Sequence, residues 1–345
     1  MPAAPVAPTL SPPARPEADA LAPSSGSGPA PKKPPLRERM RARSARDRIE
    51  SWRPRWFWAA LAIPGSFWLI VFFVLPFYVV VSVAAGVLDP IFQSPIPVWN
   101  PILWSGSNFT NLFRELSFLW PPFARTLVYT AIGSALSLVI AYPVAYFVTR
   151  YAGRRKTLFL ILLISPFWVS YMMRMLAWID LLQVNGYVNK TLSTLGITSA
   201  SSPIDWLGGK PLTVILGLVY GYIPYLILVL YAGLDRIDPS LIEAGRDLGL
   251  SRTRTFLRVT LPLSRQPILT GMLITVLPML GDYYTNQLLS GAPNTSMIGN
   301  LIEGQLGTPG LQGQGAVLSL LLLLVLIIPM IYYVIATNRS SREAT

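Results

Sequence analysis

The chain has 345 residues, of which 52% are hydrophobic and only 13% charged, and its formal net charge is +12. Such a composition is too apolar for an ordinary soluble domain. The sequence contains no Cys and no His, which excludes disulfides, thiolate metal sites and histidine-based acid–base catalysis. We therefore expect no cofactor, no bound metal and no catalytic residue.

The N-terminal tail, residues 1–55, differs in composition from the rest of the chain. Residues 1–35 hold eleven prolines and are predicted to be disordered. Residues 36–55 are rich in Arg and have two interpretations. They form a surface helix against anionic lipid headgroups, or they are a solvated basic stretch that fixes the membrane topology.

Long charge-free runs predict six transmembrane helices, because about 20 apolar residues span a bilayer as a helix. We place them at residues 57–86, 126–149, 157–181, 211–234, 266–289 and 315–337. The predicted fold class is an all-α membrane protein, with a membrane domain over 56–338 and a short C-terminal tail over 339–345.

The basic residues predict the orientation of these helices. If six helices alternate in direction, 23 of the 28 Lys and Arg residues fall on one side of the membrane. The positive-inside rule then places both termini and the segment 235–265 in the cytoplasm. The charge is spread over several membrane-flanking segments, so we expect contact with membrane lipid and no nucleic-acid partner.

Residues 235–265 are polar and basic although they lie between two apolar segments. Asp238 followed by Pro239 is typical of a helix start, and Ser240 with Glu243 offers a competing capping box. Gly249 is suited to end the first short helix. We expect Ser251 to cap a second short helix that Pro262 ends.

The same stretch resembles a signature of permease subunits in bacterial ATP-binding-cassette importers, E-A-A-x3-G-x9-I-x-L-P. The matching positions are Glu243, Ala244, Gly245, Gly249, Val259, Leu261 and Pro262, with Gly245 in place of Ala and Val259 in place of Ile. The resemblance implies a type I importer fold and a cytoplasmic helix that docks onto an ATPase subunit, and we therefore call residues 235–265 the coupling loop. Glu243 is the strongest candidate for that contact, with Arg246 and Asp247 beside it.

This resemblance also implies partners, because the chain has no G-x-x-x-x-G-K-[ST] phosphate loop of its own. The expected assembly contains two ATP-binding subunits, a periplasmic solute-binding protein and a second permease, which is usually a different chain. The expected location is the bacterial inner membrane, and the chain itself is expected not to be an enzyme.

Further stretches resemble the spermidine/putrescine branch of these permeases. They are PFWVSYMMRMLAW at 166–178, NGYVN at 185–189, LGDYYTNQLLSG at 280–291 and MIGNLI at 297–302. The branch implies a polyamine substrate. Importers of opines, phosphonates, iron or amino-acid-like solutes have related sequences and remain alternatives.

Charged and aromatic residues near the membrane are candidates for the substrate path. Arg174 and Asp282 interrupt apolar helices, and charges there are costly unless they face a cavity or a partner. Their alternatives are a mutual ion pair and snorkelling to the headgroups. A polyamine favours carboxylates and aromatic faces. The principal path candidates are Arg174, Trp178, Asp180, Asp282, Tyr283 and Tyr284. Further candidates are Glu115, Trp168, Tyr171, Asp205 and Glu303.

Gly217-x-x-x-Gly221 in the fourth predicted helix indicates close helix packing. Two other classes of protein remain open at this point. A stand-alone secondary transporter would need repeats and an ion site, and we find no clear internal repeat. A membrane-embedded DNA-binding regulator would use 239–260 as a helix-turn-helix, but its connections to the membrane are too short to reach a groove.

Overall fold

The structure is a computed structural model that describes residues 55–114, 116–199 and 201–343. The predicted tail therefore lies outside the described residues, apart from Arg55. The candidate Glu115 also lies outside them.

The described chain is almost entirely helical. Its α-helices, numbered in chain order, are α1 (Arg55–Leu69), α2 (Leu75–Ala84), α3 (Ser107–Arg114), α4 (Leu116–Arg150), α5 (Lys156–Ile164), α6 (Tyr171–Leu182), α7 (Tyr187–Thr194), α8 (Pro211–Leu234), α9 (Pro239–Asp247), α10 (Arg252–Thr255), α11 (Leu261–Leu263), α12 (Arg265–Leu280), α13 (Tyr284–Leu289), α14 (Ile298–Gly307) and α15 (Gln312–Glu343).

Short irregular elements connect them. The π-helical segments are Ile70–Val74 and Phe256–Thr260, and the 3₁₀ segments are Pro101–Leu103, Gly153–Arg155 and Ser165–Trp168. Two short strands, β1 (Val87–Leu88) and β2 (Pro95–Ile96), pair in antiparallel fashion with Val87 opposite Ile96.

Four stretches of helix are long and apolar enough to cross a membrane: Ala60–Ala84, Ser117–Arg150, Pro211–Leu234 and Gln312–Thr337. We call them the first, second, fourth and sixth spans. Two bent helix pairs are together also long and apolar enough, and they overlap the third and fifth predicted spans. The all-α membrane fold is thus confirmed, with six spans if each bent pair crosses once.

The third and fifth spans are not the continuous helices that the charge-free runs predicted. The third comprises Gly153–Trp168 and Tyr171–Thr194, bent by 90°, and Ser170 caps the second part by accepting a hydrogen bond from Met173 N at 3.3 Å. The fifth comprises Arg252–Leu263, which lies within the coupling loop, and Arg265–Leu280, bent by 62°. It has a second break at 281–283, which contains Asp282 and separates α12 from α13. Hydropathy detects the apolar length of a segment but not a change in its direction.

The second span also begins well before its predicted start at 126, because α4 starts at Leu116. The charge-free run begins only after Arg125, but the Arg125 guanidinium extends away from α4. It donates to the carbonyl oxygen of Pro293 at 2.9 Å and to that of Ser296 at 3.4 Å. A charged side chain that finds polar partners outside the helix does not terminate the helix.

Contacts between connecting segments define two ends of the helix bundle. At the end that carries the coupling loop, which we call the coupling end, Lys156 contacts Asp235. At the opposite end, the far end, the backbone N–H of Gly310 donates to Gln93 O at 2.8 Å. Asn294 Nδ2 there donates to Gly209 O at 3.2 Å.

These ends establish that each bent pair crosses the bundle. The second span finishes at the coupling end with Arg150, which contacts Ile237 O at 3.1 Å, whereas the fourth span begins at the far end beside Gly209. The chain between them must therefore cross once. The same reasoning applies to the fifth span, because the chain passes from Ile237 at the coupling end to Asn294 at the far end.

The fourth span lies at the centre of the bundle. Within an apolar stretch of 18 residues, 56% of the fourth span is buried, compared with 6% of the sixth span. Helix α8 of the fourth span packs mainly against α4 and α12. The largest buried cluster joins α4 to α8 through Ala141, Ala145, Leu226, Leu230 and Leu234. The sixth span leaves most of its surface for lipid or another protein.

Candidate coupling loop and intramembrane site

The first half of the coupling loop forms the predicted short helix and Gly turn. Asp238 caps α9 by accepting a hydrogen bond from Ser240 N at 2.9 Å, and this bond holds the pKa of Asp238 below its usual value. Gly249 ends the helix at φ +82°. Its N–H donates to Arg246 O at 2.8 Å, and Leu250 N donates to Gly245 O at 3.2 Å. This pair of bonds is the Schellman arrangement, which needs a left-handed residue.

The second half differs from the prediction that Pro262 ends it. Ser251 does cap α10, with Arg254 N donating to its hydroxyl at 3.4 Å. The helix then widens into the π-helical segment Phe256–Thr260 and continues through Pro262 to Leu263. A proline lacks one donor and crowds the preceding turn, and a π-helical turn just before it is a known form of helix adjustment.

Aromatic packing anchors this half of the loop to the second span. Phe256 contacts the rings of Tyr142 and Tyr146 edge-on, each with centroids 5.7 Å apart. The Tyr142 hydroxyl lies 2.9 Å from the hydroxyl of Ser264, which is buried at the junction between α11 and α12. These contacts join the loop to the second and fifth spans.

Charged residues fix the other end of the loop. The Arg150 guanidinium donates to Ile237 O at 3.1 Å and contacts Leu234 O at 3.4 Å, which satisfies carbonyls at the end of α8. The Lys156 ammonium is 2.7 Å from an Asp235 carboxylate oxygen. Both ends of the loop are thus tied to neighbouring spans.

The residues of the sequence signature divide into an inward and an outward group. Gly245 is buried, and a Cβ there would lie 3.4 Å from Thr255 Cγ2 and 3.4 Å from Val259 Cγ2. Leu261 packs on the buried α4–α8 cluster. The outward group is exposed and comprises Glu243, Ala244, Arg246, Asp247, Gly249 and Pro262.

Glu243 does not form the competing capping box with Ser240, because Asp238 already accepts the Ser240 N–H. Its carboxylate has no hydrogen bond or ion pair with any residue that the structure describes. Leu248, near the end of the same helix, is 84% exposed. A free carboxylate beside an exposed Leu on a rigid helix is a surface suited to a protein partner.

The second candidate site lies inside the bundle, at the breaks of the third and fifth spans. Asp282 is only 7% exposed, and its carboxylate accepts hydrogen bonds from three side-chain hydroxyls and one backbone amide. Tyr222 donates at 2.8 Å and Tyr171 at 3.3 Å. Thr285 donates twice, through its N–H and its hydroxyl, each at 2.9 Å. Asp282 therefore joins the third, fourth and fifth spans.

Two glycines of the fourth span make this junction possible. A Cβ on Gly221 would lie 2.6 Å from Tyr171 Cε2, and one on Gly217 would lie 2.5 Å from Thr285 Cγ2. Any side chain at either position would displace the residues that bind Asp282. The predicted packing role of this glycine pair is confirmed, and the partners are the broken halves of two other spans.

Arg174 is also buried at this junction, in the first turn of α6. Its guanidinium carbon lies 5.4 Å from the centroid of the Tyr171 ring, and its Nε has no hydrogen-bond partner among the described residues. The ion pair with Asp282 is not formed, because no oxygen of that carboxylate lies within 4.0 Å of the guanidinium nitrogens. Tyr171 separates the two charges.

The remaining path candidates are not brought to Asp282. Tyr283 and Tyr284 stack on each other with centroids 4.2 Å apart, and Tyr283 lines a separate cavity of about 410 Å³ with Glu303. Trp178 packs edge-on against Tyr220. The other candidates are exposed or locally bonded: Asp180 accepts from Gln183, Asp205 accepts from Gly208 N, and Trp168 is 81% exposed.

The sequence did not identify Tyr222 and Thr285 as partners of Asp282. One signal was present, since Tyr222 directly follows Gly221 of the glycine pair. A residue beside a close helix contact is well placed to bond across it. Thr285 carried no comparable signal, because its role depends on where the fifth helix breaks.

Comparison with known proteins gives consistent matches. The family model described as "Binding-protein-dependent transport system inner membrane component" matches residues 133–342. The spermidine/putrescine transport system permease protein PotB of Escherichia coli K12 is 32% identical over 238 residues, which is 69% of this chain and 82% of that protein. PotB of Haemophilus influenzae is 34% identical, over 69% of this chain and 79% of that protein.

Among solved structures, the chain resembles a subunit of a bacterial alginate ABC transporter in complex with a periplasmic protein that holds an alginate pentasaccharide. The TM-score is 0.65 at 17% identity, over 84% of this chain and 95% of the other. A second structure of a bacterial alginate importer gives a TM-score of 0.59 at 19% identity, over 89% of this chain and 99% of the other. At these identities the likeness concerns the fold.

Proposed function

Since the chain belongs to the family of inner membrane components of binding-protein-dependent transport systems, we propose that it is one permease subunit of a bacterial ATP-driven importer of polyamines. The named relatives at 32–34% identity are spermidine/putrescine permeases, which supports this substrate class. The proposed location is the inner membrane, with both termini and the coupling loop in the cytoplasm.

The observation that carries the proposal is the coupling loop itself. It presents an unpaired carboxylate, Glu243, on a short helix whose base is bonded to the neighbouring spans. The sequence has no phosphate loop, so the energy of ATP must reach this chain through another subunit. We propose two ATPase subunits, a second permease of different sequence and a solute-binding protein as partners.

The proposed mechanism is differential binding of these partners in two conformations. Closure of the ATPase subunits displaces α9, and Phe256 and Ser264 pass the displacement to the second and fifth spans. The fifth span ends at the break that contains Asp282. A shift at the coupling end is thereby connected to the intramembrane junction.

We further propose that Asp282 contributes to the polyamine path. Its Oδ1 accepts only from Thr285 N among the described residues, which leaves acceptor capacity for an ammonium donor. The tyrosine rings around it suit a cation. Arg174 lies behind Tyr171, where its charge would repel an ammonium that moved further in that direction.

Reconstitution tests the importer assignment. The four kinds of subunit are purified together, placed in liposomes and supplied with radiolabelled spermidine and internal ATP. We expect uptake that requires ATP and the binding protein. Glu243→Ala should abolish uptake and lower the recovery of the ATPase subunit. Glu303 is an exposed glutamate at the far end, and Glu303→Ala should leave that recovery unchanged. Uptake by this chain alone without ATP would instead establish a stand-alone transporter.

The substrate and the path are tested separately. Competition by unlabelled putrescine, an opine, a phosphonate, an iron chelate and an amino acid separates the substrate classes. Asp282→Asn removes the negative charge but keeps the shape and one acceptor oxygen. We expect reduced spermidine uptake with intact assembly. Unchanged uptake would remove Asp282 from the path without affecting the importer assignment.

A further inference from the structure

The connection between the first and second spans has an unusual composition for a segment outside the membrane. Residues 90–113 contain no Asp, Glu, Lys or Arg, although about a quarter of the residues in soluble domains are charged. Within this connection between the two spans, residues 87–106 comprise the β1–β2 hairpin and the 3₁₀ turn Pro101–Leu103. We call residues 87–106 the far-end hairpin segment.

This segment stays at the end of the first span instead of extending away from it. Val98 N donates to Ser82 O at 3.1 Å, and Ser105 N donates to Ala85 O at 2.9 Å. Asn108 Nδ2, just after the segment, donates to Ala84 O at 3.1 Å. These bonds hold the part of the segment that follows β2 against the end of α2, where the apolar span ends.

Its largest apolar side chains point away from the rest of the protein. Ile91 and Phe92 at the hairpin tip are 81% and 77% exposed, and Ile102 and Leu103 in the 3₁₀ turn are 89% and 68% exposed. Asp89, the one charged residue of the segment, is directed into the turn, where its carboxylate accepts from Ile91 N at 2.7 Å. The segment thus has two apolar protrusions, the hairpin tip and the 3₁₀ turn, on either side of Val98, whose backbone is bonded to the first span.

Aromatic residues lie between the two protrusions and the span. The rings of Trp99 and Trp104 lie 6.3 Å and 6.4 Å from that of Tyr78 on α2. The indole N–H of Trp104 donates to Val98 O at 2.9 Å, and the Tyr78 hydroxyl donates to Trp99 O. Trp and Tyr are enriched at the level of the lipid headgroups.

We propose that the far-end hairpin segment lies in the lipid interface, with Ile91, Phe92, Ile102 and Leu103 inserted among the acyl chains. Amphipathic elements of this kind insert about 5–10 Å below the headgroups. The absence of charge from residues 90–106, the bonds to the end of a span and the aromatic residues at the boundary all favour lipid. A soluble partner that dissociates would leave four large apolar side chains in water between encounters.

The proposal concerns the surface and does not depend on which solute is imported. It leaves the other far-end segments, 183–210 and 290–311, as the surface for a soluble partner. Those segments carry several charges, among them Lys190, Asp205 and Glu303, whereas the hairpin segment has only Asp89. The hairpin segment would instead fix the height of the first span in the bilayer.

The absence of Cys from the chain permits a direct test. Phe92→Cys and Ile102→Cys are each spin-labelled in the assembled importer, with cysteine-free partner subunits, and reconstituted in liposomes. Collision rates are measured with oxygen, which concentrates in lipid, and with a water-soluble nickel chelate. Ser201→Cys, in an exposed polar stretch at the far end, is the matched control, and Ile328→Cys in the sixth span is the lipid reference.

We expect the ratio of oxygen to nickel collisions at 92 and 102 to be severalfold higher than at 201 and close to that at 328. Addition of saturating solute-binding protein should leave the ratio unchanged. Nickel collisions as frequent as at 201 would overturn the proposal by showing a water-facing surface. Low collision rates with both reagents would overturn it too, because a protein subunit would then cover the segment.

Discussion

The coupling loop and the intramembrane junction both contain an acidic residue beside a short helix, but their surroundings are opposite. Asp282 is 7% exposed and accepts four hydrogen bonds from two other spans and its own. Glu243 is exposed and accepts none from the described residues. The first carboxylate holds this chain together, and the second is available to a different chain.

This difference separates stability from coupling in the molecule. When all hydrogen-bond partners of a carboxylate lie within the same chain, we expect its substitution to affect folding first, and transport as a consequence. An unpaired carboxylate on a rigid surface affects assembly without affecting the fold. Substitutions at the two positions should therefore be distinguishable by measuring the chain alone and the chain with its partners.

The largest effect is expected for Asp282→Ala. The substitution removes the acceptor of the Tyr222 hydroxyl and of the Thr285 N–H, at about 1–3 kcal/mol for each group that stays unpaired. The Tyr171 and Thr285 hydroxyls lie 2.5 Å apart and can still bond each other. We expect a clearly lower unfolding free energy of the isolated chain in detergent, measured by denaturant titration.

Tyr222→Phe sharpens that experiment, because it removes one donor and keeps the carboxylate. It should cost about 0.6 kcal/mol, the average for hydrogen bonds between membrane helices. Tyr220→Phe is the matched control on the same helix, since the Tyr220 hydroxyl has no hydrogen bond among the described residues. Equal stability of Asp282→Ala and the unmodified chain would contradict the structural role of Asp282.

Glu243→Ala should have the opposite profile. We expect the unfolding free energy of the isolated chain to stay within about 0.5 kcal/mol, as for other surface substitutions. Recovery of the ATPase subunit should fall by roughly tenfold or more, which corresponds to about 1.4 kcal/mol of binding free energy. A destabilised chain with normal recovery would reverse the comparison between the two sites.

Two glycines of the coupling loop are expected to respond with opposite sign. Gly249→Ala places a side chain at φ +82° and should cost about 1–2 kcal/mol. Gly245→Ala adds a Cβ at normal contact distance from its neighbours and should stabilise α9 by up to about 1 kcal/mol. Hydrogen exchange of the loop amides measures both.

Gly196→Ala is the control for this pair, because Gly196 has a similar φ of +72° but lies at the far end. It should lower local stability there without changing recovery of the ATPase subunit. A loss of loop protection in Gly245→Ala would show that the alanine does not fit beside Thr255 and Val259.

The smallest effect is the pH dependence of the cap at Asp238. The Ser240 N–H lowers the pKa of Asp238 in the folded loop below its ordinary value of 3.8. The cap therefore stabilises the loop fully above 3.8 and is lost as the pH falls through the lower folded pKa. Hydrogen exchange, corrected for its intrinsic pH dependence, should show this loss in the unmodified chain and not in Asp238→Asn.

Much of the fold could be predicted from the sequence because membrane helices are long and apolar. The fourth predicted span, 211–234, agrees with Pro211–Leu234 to the residue. The third and fifth spans show where the approach fails. The break at 169–170 is followed by a local cap at Ser170, and the break at 281–283 contains Asp282, which bonds to two other spans. Hydropathy contains no information on either set of bonds.

The two candidate sites differ in the same way. The capping residues, the Gly turn and the exposed acid of the coupling loop are local features, and local hydrogen bonding decides them. The path candidates were chosen one by one from charge and aromatic character. The structure groups Asp282 with Tyr171 and Tyr222 instead of Tyr283 and Tyr284, because the break turns its carboxylate toward the third and fourth spans.

The sequence by itself determined that this chain spans a membrane, how its charges are distributed between the two sides, and that its coupling loop contains a capped helix closed by Gly249. Each follows from local composition or from hydrogen bonds between near neighbours. Only the tertiary structure decided where two spans break and which side chains surround Asp282. Residues 171, 222 and 282 are far apart in sequence, and they meet because glycines at 217 and 221 allow three helices to approach closely.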